Sequence, residues 1–232
     1  MTLGSVSFLV FLVGLVAGVL FSDLFAVQEV VIVSPDESLQ AEAAERAESL
    51  NFGTIWLPPT RAIEARVGGL PRALEARIER KLPSTLLIRV ESRQPVAFAA
   101  NEGRYMAVDA EGVYLHWTGA PFDDMPTIQI AEAGSMEVGG HLSDEDLALM
   151  WALMEGLAKT QLLAEASIDI SHPLRITVFT GDGVLGKLGN EEMLYEKTVL
   201  FGRLLKALLD DGETPLYIDL RVPERPTYRR ID

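Results

Sequence analysis

The chain has 232 residues, of which 48% are hydrophobic and 23% are charged, and its formal net charge at pH 7 is −14. A surface this acidic would repel nucleic acid phosphates, which argues against DNA or RNA as a partner. The absence of cysteine excludes disulfide frameworks and thiolate metal sites. The length suggests two folded domains after an apolar first segment.

The N-terminal stretch 3–21 is predominantly apolar and carries no charged residue. At about 1.5 Å per residue, a helix of this length spans about 28 Å, close to the roughly 30 Å hydrocarbon core of a bilayer. A cleaved signal peptide is the alternative, but such peptides begin with basic residues and have a shorter apolar core. We therefore expect a retained transmembrane helix. Because the rest of the chain is acidic, only this helix is expected to touch the membrane.

Between residues 26 and 92 the sequence predicts a strand, two helices and a further strand, from β-branched runs and helical spacing of apolar residues. The predicted ranges are 27–33 and 85–91 for the strands and 36–50 and 59–67 for the helices. Residues 72–80 are ambiguous by pattern alone. Their composition favours a helix, whereas the alternation of Leu74, Ala76 and Ile78 with other residues favours a half-exposed strand.

After residue 93 the sequence predicts many short strands and two longer helices. The helices cover 144–159 and 191–209, and Ser143 is the expected N-cap of the first, with Asp146 in the capping-box position. The predicted strands cover 96–100, 104–108, 113–116, 126–130, 166–170, 174–180, 184–188 and 216–222.

No pattern in the chain predicts a catalytic, metal or cofactor site. The three histidines, His116, His141 and His172, lack partners at metal-ligand spacing. Residues 181–186 spell G-x-G-x-x-G, but a strand is predicted directly after them, where a dinucleotide site requires a helix. We therefore expect a hairpin turn at 181–186 and no enzyme activity.

The last predicted strand, 216–222, is the strongest candidate for a binding site. A strand at a sheet edge leaves backbone N–H and C=O groups to which a partner strand can bond. Alternation places Tyr217, Asp219 and Arg221 on one side. The opposite phase, expected to face the core, consists of Ile218, Leu220 and Val222.

This end of the chain is also basic. The arginines Arg221, Arg225, Arg229 and Arg230 would suit an acidic partner segment. The alternative is a solvated tail in which Pro223 and Pro226 block edge pairing, because proline has no amide donor.

The run 82–97, with the sequence LPSTLLIRVESRQPVA, resembles a signature of the bacterial cell-division family FtsQ/DivIB. In that family the pattern is T-L-x-I-x-V-x-E-R-x-P-V-A, which this run matches with one inserted residue. The run 217–221, YIDLR, resembles the family's C-terminal strand. The chain departs from the family pattern at two places. It has Ser34-Pro35 where the family has Gly-Asn, and it has Arg-Ala-Leu at 72–74, where the family often has an aromatic residue and Val after Leu-Pro.

The resemblance implies an α+β protein with four parts. These are a short N-terminus and transmembrane helix at 1–25, a POTRA domain at 26–92, an FtsQ-type β domain with two helices at 93–222, and a C-terminal tail at 223–232. The POTRA order β-α-α-β-β implies that 72–80 is a strand.

The resemblance also implies a divisome scaffold without enzyme activity, catalytic residues, metal or cofactor. Such a protein is a single-pass protein of the cytoplasmic (inner) membrane at the division septum, with its N-terminus inside and its bulk extracytoplasmic. It recruits FtsB- and FtsL-type proteins, with the septal synthase pair of FtsW/FtsI type as a further partner, and helps regulate septal peptidoglycan synthesis. The implied partner-binding residues are Tyr217, Asp219, Arg221, Val222, Glu224 and Arg225.

Two alternatives belong to other functional classes. A membrane-anchored cell-envelope enzyme would need convergent polar groups, which the sequence does not suggest. A POTRA-type transport or assembly module would normally precede a barrel, for which this chain is too short. The edge strand of the POTRA sheet is a second possible docking surface.

Overall fold

The computed structural model describes residues 3–20, 22–121, 124–131 and 136–230. The chain divides into two compact units, unit 1 (Met1–Arg93) and unit 2 (Gln94–Asp232). Each unit builds its own sheet, and we treat them separately.

The apolar stretch at the start of the chain forms helix α1 (Leu3–Leu20). Its large side chains from Phe8 to Val19 are exposed. Within the described ranges, no helix is both long enough and apolar enough to cross a membrane, so the predicted span is not confirmed. A single 3-10 turn, Asp23–Phe25, follows α1.

In the described part of unit 1, two helices accompany a three-stranded sheet. The elements are β1 (Glu29–Val33), α2 (Glu37–Glu48), α3 (Thr60–Arg66), β2 (Ala73–Lys81) and β3 (Thr85–Ser92). The strand order is β1-β3-β2, with β1 parallel and β2 antiparallel to β3. The strand predicted for 72–80 is confirmed by β2, whereas the identification of unit 1 as a POTRA domain stays a prediction.

Helix α2 begins where Asp36 caps it, because the Asp36 carboxylate accepts bonds from the amides of Ser38 (3.0 Å) and Leu39 (3.1 Å). Partial burial raises the pKa of Asp36, but these hydrogen bonds and the charge of Arg72 outweigh that effect and lower it. The buried face of α2 packs with α3 and the sheet. Its apolar core contains Leu39, Ala43, Ala47, Ile63, Val67, Leu86, Ile88 and Val90.

Unit 2 is built on a nine-stranded sheet, counted over the described residues. Its elements are β4 (Pro95–Asn101), β5 (Arg104–Asp109), β6 (Tyr114–Thr118), β7 (Thr127–Gln129), α4 (Asp144–Lys159), β8 (Ser167–Asp169), β9 (Ile176–Phe179), β10 (Leu185–Gly189), α5 (Leu194–Asp210), β11 (Pro215–Asp219) and β12 (Thr227–Arg230). The strand order is β12-β11-β10-β9-β8-β7-β4-β5-β6. Three neighbouring pairs, β4–β7, β7–β8 and β10–β11, are parallel.

Helices α4 and α5 cover one face of this sheet and form the main core. Fully buried side chains from both helices meet those of the central strands, including Met150, Leu153, Leu157, Phe201, Leu205, Ile128, Ile168, Val178 and Ile218. The predicted cap of α4 is confirmed, since Ser143 Oγ accepts from the Asp146 amide at 3.0 Å and donates to its carboxylate at 2.8 Å.

The glycine motif at 181–186 joins β9 to β10, as predicted. Gly183 adopts a φ of +81° and donates its amide to the Thr180 carbonyl at 2.9 Å, which closes the turn between two antiparallel strands. Gly186 faces the Phe201 ring so closely that an added Cβ would lie 2.9 Å from it. The motif therefore serves a hairpin and a helix–sheet contact.

Candidate functional site

Strand β11 lies inside the sheet, between β10 and β12. Tyr217 and Asp219 pair with Leu185 and Lys187 of parallel β10. On the other side, β11 pairs with antiparallel β12. The expectation that 216–222 is an edge strand is therefore wrong, and the expected tail 223–232 contains the strand that covers it.

The chain reverses between β11 and β12 in a turn that contains both prolines. The Arg225 amide donates to the Val222 carbonyl at 3.0 Å and closes this turn. Pro223 follows the end of β11 and Pro226 directly precedes β12, as turn residues do. They therefore do not prevent Thr227–Arg230 from pairing.

Strand β12 ends the strand order of the sheet, so in the described structure no strand lies on its outer side. All four of its residues are exposed. Tyr228 Oη donates to a Glu213 carboxylate oxygen at 2.8 Å, and Arg230 pairs with the same carboxylate. These bonds hold β12 from its inner side, which leaves its outer backbone edge for another strand.

The cross-strand register defines an outer face on the side of the sheet opposite to α4 and α5. Because side chains alternate between faces, Lys187, Asp219 and Thr227 lie side by side across β10, β11 and β12. The next row contains Phe179, Leu185, Tyr217 and Arg229. The Lys187 ammonium lies 3.6 Å from the centre of the Tyr217 ring, a cation–π contact.

Asp219 and Arg221 form the main polar contact of the outer face. The Arg221 guanidinium donates Nε to Asp219 Oδ1 at 3.0 Å and Nη2 to Oδ2 at 2.6 Å. The hydrogen bond from the Arg221 side chain is the main reason that the pKa of Asp219 is lowered, and the charge of Lys187 adds to it. The same pair raises the pKa of Arg221, whose side chain stays largely exposed.

Two depressions flank Arg221 on this surface. One, of about 510 Å³, is lined by Asp219, Arg221, Val222, Arg225 and Thr227. The other, of about 260 Å³, is lined by Leu174, Arg175, Ile176, Thr177, Leu185, Lys187, Gly189 and Arg221. Gly189 has a φ of +83°, and an added Cβ would lie 3.1 Å from Arg221 Cγ. The arginine stem therefore rests against Gly189, which has no side chain in its way.

The structure brings together most of the residues predicted to bind a partner. Asp219, Arg221, Val222 and Arg225 line one depression, Tyr217 lies on the adjacent outer face, and Glu224 is in the exposed part of the turn. Ile218 and Leu220 are buried, as expected. Val222 is 55% exposed, so its expected position in the core is wrong. The alternation breaks at Val222 because β11 has ended at Asp219 and the chain has entered the turn.

Sequence reasoning missed β12 and the contribution of the neighbouring strands. Thr227 and Tyr228 are favourable strand residues and were the available signal. The exposed Leu174 and Phe179, at 67% and 48%, could not be placed near β11 from local pattern, because their proximity depends on the β9–β10–β11 order.

Unit 1 offers a second sheet edge at β1. The groove between β1 and α2 has a volume of about 1060 Å³, and its walls include Val30, Ile32 and Ala44 with the acidic Glu37 and Glu48. No group of three or more His, Cys, Asp or Glu residues suited to a metal ion occurs in either unit, over the residues that the structure describes.

A family model and a relative of known name identify one family. The family model of the C-terminal region of the cell division protein FtsQ/DivIB matches residues 97–221. The cell division protein FtsQ of Chloroflexus aurantiacus is 30% identical over 212 residues, covering 91% of this chain and 76% of that protein. A solved structure of the major extracytoplasmic domain of the trans isomer of DivIB from Geobacillus stearothermophilus is 16% identical with a TM-score of 0.34, covering 52% of this chain and 97% of that one. On the family match and the curated relative, the chain belongs to the FtsQ/DivIB family of cell division proteins.

Proposed function

We propose that this protein is a membrane-attached divisome scaffold that recruits partner proteins through the outer edge of β12. Family membership supports the role in cell division. The observation that carries the binding function is the exposed position of β12 at the end of the strand order. No chemical reaction is assigned to the protein.

The proposed partner contributes a strand that pairs with β12. Main-chain hydrogen bonds would supply much of the affinity, and alternate side chains would supply specificity. Arg229 lies on β12 and Arg225 lies in the turn before it, and their positive charges favour an acidic partner segment. The depression between Arg221, Val222 and Thr227 would accept a side chain of the same partner. In this proposal the outer edge of β12 is the docking edge. The residues of β11 and the turn that were predicted to bind a partner flank it.

The expected partners are those that the family resemblance implies. FtsB-type and FtsL-type proteins are the direct candidates, and a synthase pair of FtsW/FtsI type is a further one. Through them the scaffold would help regulate septal peptidoglycan synthesis. The free β1 edge of unit 1 remains a second docking candidate, but its groove carries acidic residues and would suit a different partner.

Membrane attachment is the second part of the proposal. Its support is the predominantly apolar, charge-free stretch 3–21, most of which forms helix α1. Backbone groups inside lipid must bond to one another, as they do in a helix. In this proposal α1 holds the protein in the cytoplasmic membrane at the septum, with units 1 and 2 on the extracytoplasmic side.

Charge reversal on β12 tests the binding proposal. In the full chain, Arg229→Glu should weaken binding of the FtsB-type partner about tenfold, because it places a repelling charge beside an acidic segment. The matched control is Arg203→Glu on α5, which makes the same charge change at another exposed position. The partner's Kd is measured by titration in nanodiscs. Equal affinities for both variants and the wild type would exclude β12 as the docking edge.

A further inference from the structure

Three exposed leucines mark one end of unit 1. Leu24, Leu57 and Leu82 are 60%, 71% and 60% exposed, more than any other large apolar side chain described in unit 1 outside α1. They come from separate parts of the sequence, the 3-10 turn, the loop before α3 and the turn between β2 and β3. Single exposed leucines are ordinary, but a group on one surface indicates an interaction site.

Backbone hydrogen bonds bring these three segments to the same end. The Gln28 amide donates to the Ser84 carbonyl at 2.9 Å, which places the β2–β3 turn where β1 begins. The Val27 amide donates to the Gly53 carbonyl at 2.9 Å, and the Ile55 amide donates to the Phe25 carbonyl at 2.9 Å. The leucines therefore share the end of unit 1 at which the chain enters β1, which we call the entry surface.

The entry surface adjoins the end of α1. Ser22 bonds to the Val19 carbonyl through its amide (3.2 Å) and its hydroxyl (2.7 Å), so the chain leaves the helix in a hydrogen-bonded turn. Leu24 follows Leu20 by four positions, and a chain spans at most about 3.6 Å per residue, so these two residues lie within about 14 Å of each other.

The composition of the entry surface suits the boundary between lipid and water. The rings of Phe25 and Trp56, the sequence neighbours of Leu24 and Leu57, lie 5.1 Å apart. The Trp56 indole N–H is buried and, within the described structure, has no hydrogen-bond partner. Tryptophan and basic residues are typical of this boundary. The exposed Arg80 and Lys81 lie at the β2–β3 turn, where they offset the acidic residues nearby.

We propose that the entry surface of unit 1 contacts the lipid headgroup region, with Leu24, Leu57 and Leu82 inserted. The proposal rests on the membrane attachment of α1 proposed above. It changes the expectation that only the helix touches the membrane, because the acidic balance of the whole chain does not hold at this surface. Contact at three points would fix the tilt of unit 1 relative to the bilayer.

Depth-dependent quenching tests this contact in the full chain. Since the chain has no cysteine, single variants Leu57→Cys and Leu82→Cys can carry an environment-sensitive fluorophore. Each is placed in vesicles of phosphatidylethanolamine and phosphatidylglycerol that contain lipid spin-labelled near the headgroup. The matched control is Leu74→Cys, which is 50% exposed on the same sheet but about 24 Å away along β2 from the turn at Lys81. Val10→Cys on α1, with spin label deep in the acyl chains, reports membrane attachment separately.

We expect the labels at 57 and 82 to lose roughly half of their fluorescence, as groups inserted 5–10 Å into the headgroup boundary should, and the label at 74 to lose little. Quenching at 57 and 82 no greater than at 74 would overturn the contact, and so would a blue shift without lipid quenching, which indicates burial against protein. Quenching of Val10 in that case leaves the attachment of α1 intact. If the label at Val10→Cys is not quenched while the labels at 57 and 82 are, the anchor is overturned and the contact is supported.

Discussion

Strands β1 and β12 each lie at one end of a sheet, so they have the same backbone chemistry, but their surroundings differ. β1 has three half-buried apolar residues at its centre, and its groove against α2 carries Glu37 and Glu48. β12 is exposed along its whole length and carries Arg229 and Arg230 in a protein with a net charge of −14. Under the proposal that β12 is the docking edge, a free backbone edge alone does not define a docking site. The side chains beside the edge determine which partner it attracts.

Breaking β12 should have the largest effect on this comparison. Tyr228→Pro removes an amide donor and disfavours strand pairing with β11. Binding of the FtsB-type partner should be lost, while unit 2 stays folded because β12 contributes no residue to its buried core. Titration measures the affinity for the partner, and circular dichroism shows whether unit 2 remains folded. Tyr228→Phe, which loses the hydroxyl contacts with Glu213 and Arg230 but keeps the backbone amide, is the control and should bind. Retained binding by the proline variant would refute edge pairing at β12.

Weakening unit 1 should leave the β12 edge unaffected. Leu39 is fully buried in the unit 1 core, so Leu39→Ala should lower the free energy of unfolding of unit 1 by about 2–5 kcal/mol. Amide hydrogen exchange in α2 measures that loss. Partner affinity, titrated under conditions where unit 1 remains folded, should match the wild type. A parallel fall in affinity would show that β1 or its groove also binds the partner.

Acid should weaken the outer face beside β12 by a smaller amount. The pKa of Asp219 in the folded protein is below its ordinary value of 3.8, so its pairing with Arg221 stabilises the fold above that value and is lost as pH falls through the lowered pKa. Since Arg221 is exposed, the pair should contribute less than about 1 kcal/mol.

The variant Asp219→Asn isolates this contribution. Its free energy of unfolding should be lower than the wild type's at pH 7, and the two should converge as pH falls through the lowered pKa of Asp219. Urea titrations across that range provide the measurement. A difference that persists at low pH would assign the effect to packing.

Local sequence pattern predicted the elements that have strong periodicity. It failed for elements whose structure depends on the strand with which they pair. The cap at Ser143 and the buried Ile218 and Leu220 follow from local chemistry, so they could be foreseen. Residues 72–80 have helical composition, yet Arg77 pairs with Glu91 across to β3, an interaction that local propensity does not contain. β12 was missed for the same reason, since no local signal says which strand will lie beside β11.

Of the candidate site, the residue types were predictable and their arrangement was not. Asp219, Arg221 and Arg225 were identified from alternation and charge, and they do line one depression. Lys187 and Leu174 join them only because β10 lies beside β11 and β9, which Leu174 precedes, lies beside β10. The error at Val222 has a local cause, because alternation was extended beyond the residue at which the strand ends.

The contact between Gly189 and Arg221 has a consequence for sequence comparison within the family. Binding sites are usually sought among residues with functional side chains. Here the stem of the exposed Arg221 needs a neighbour without a side chain, which is Gly189. Any other residue at 189 would strain a backbone with φ of +83° and crowd Arg221. A glycine at this position thus marks which relatives can orient an arginine as this chain does, even where the outer face has diverged.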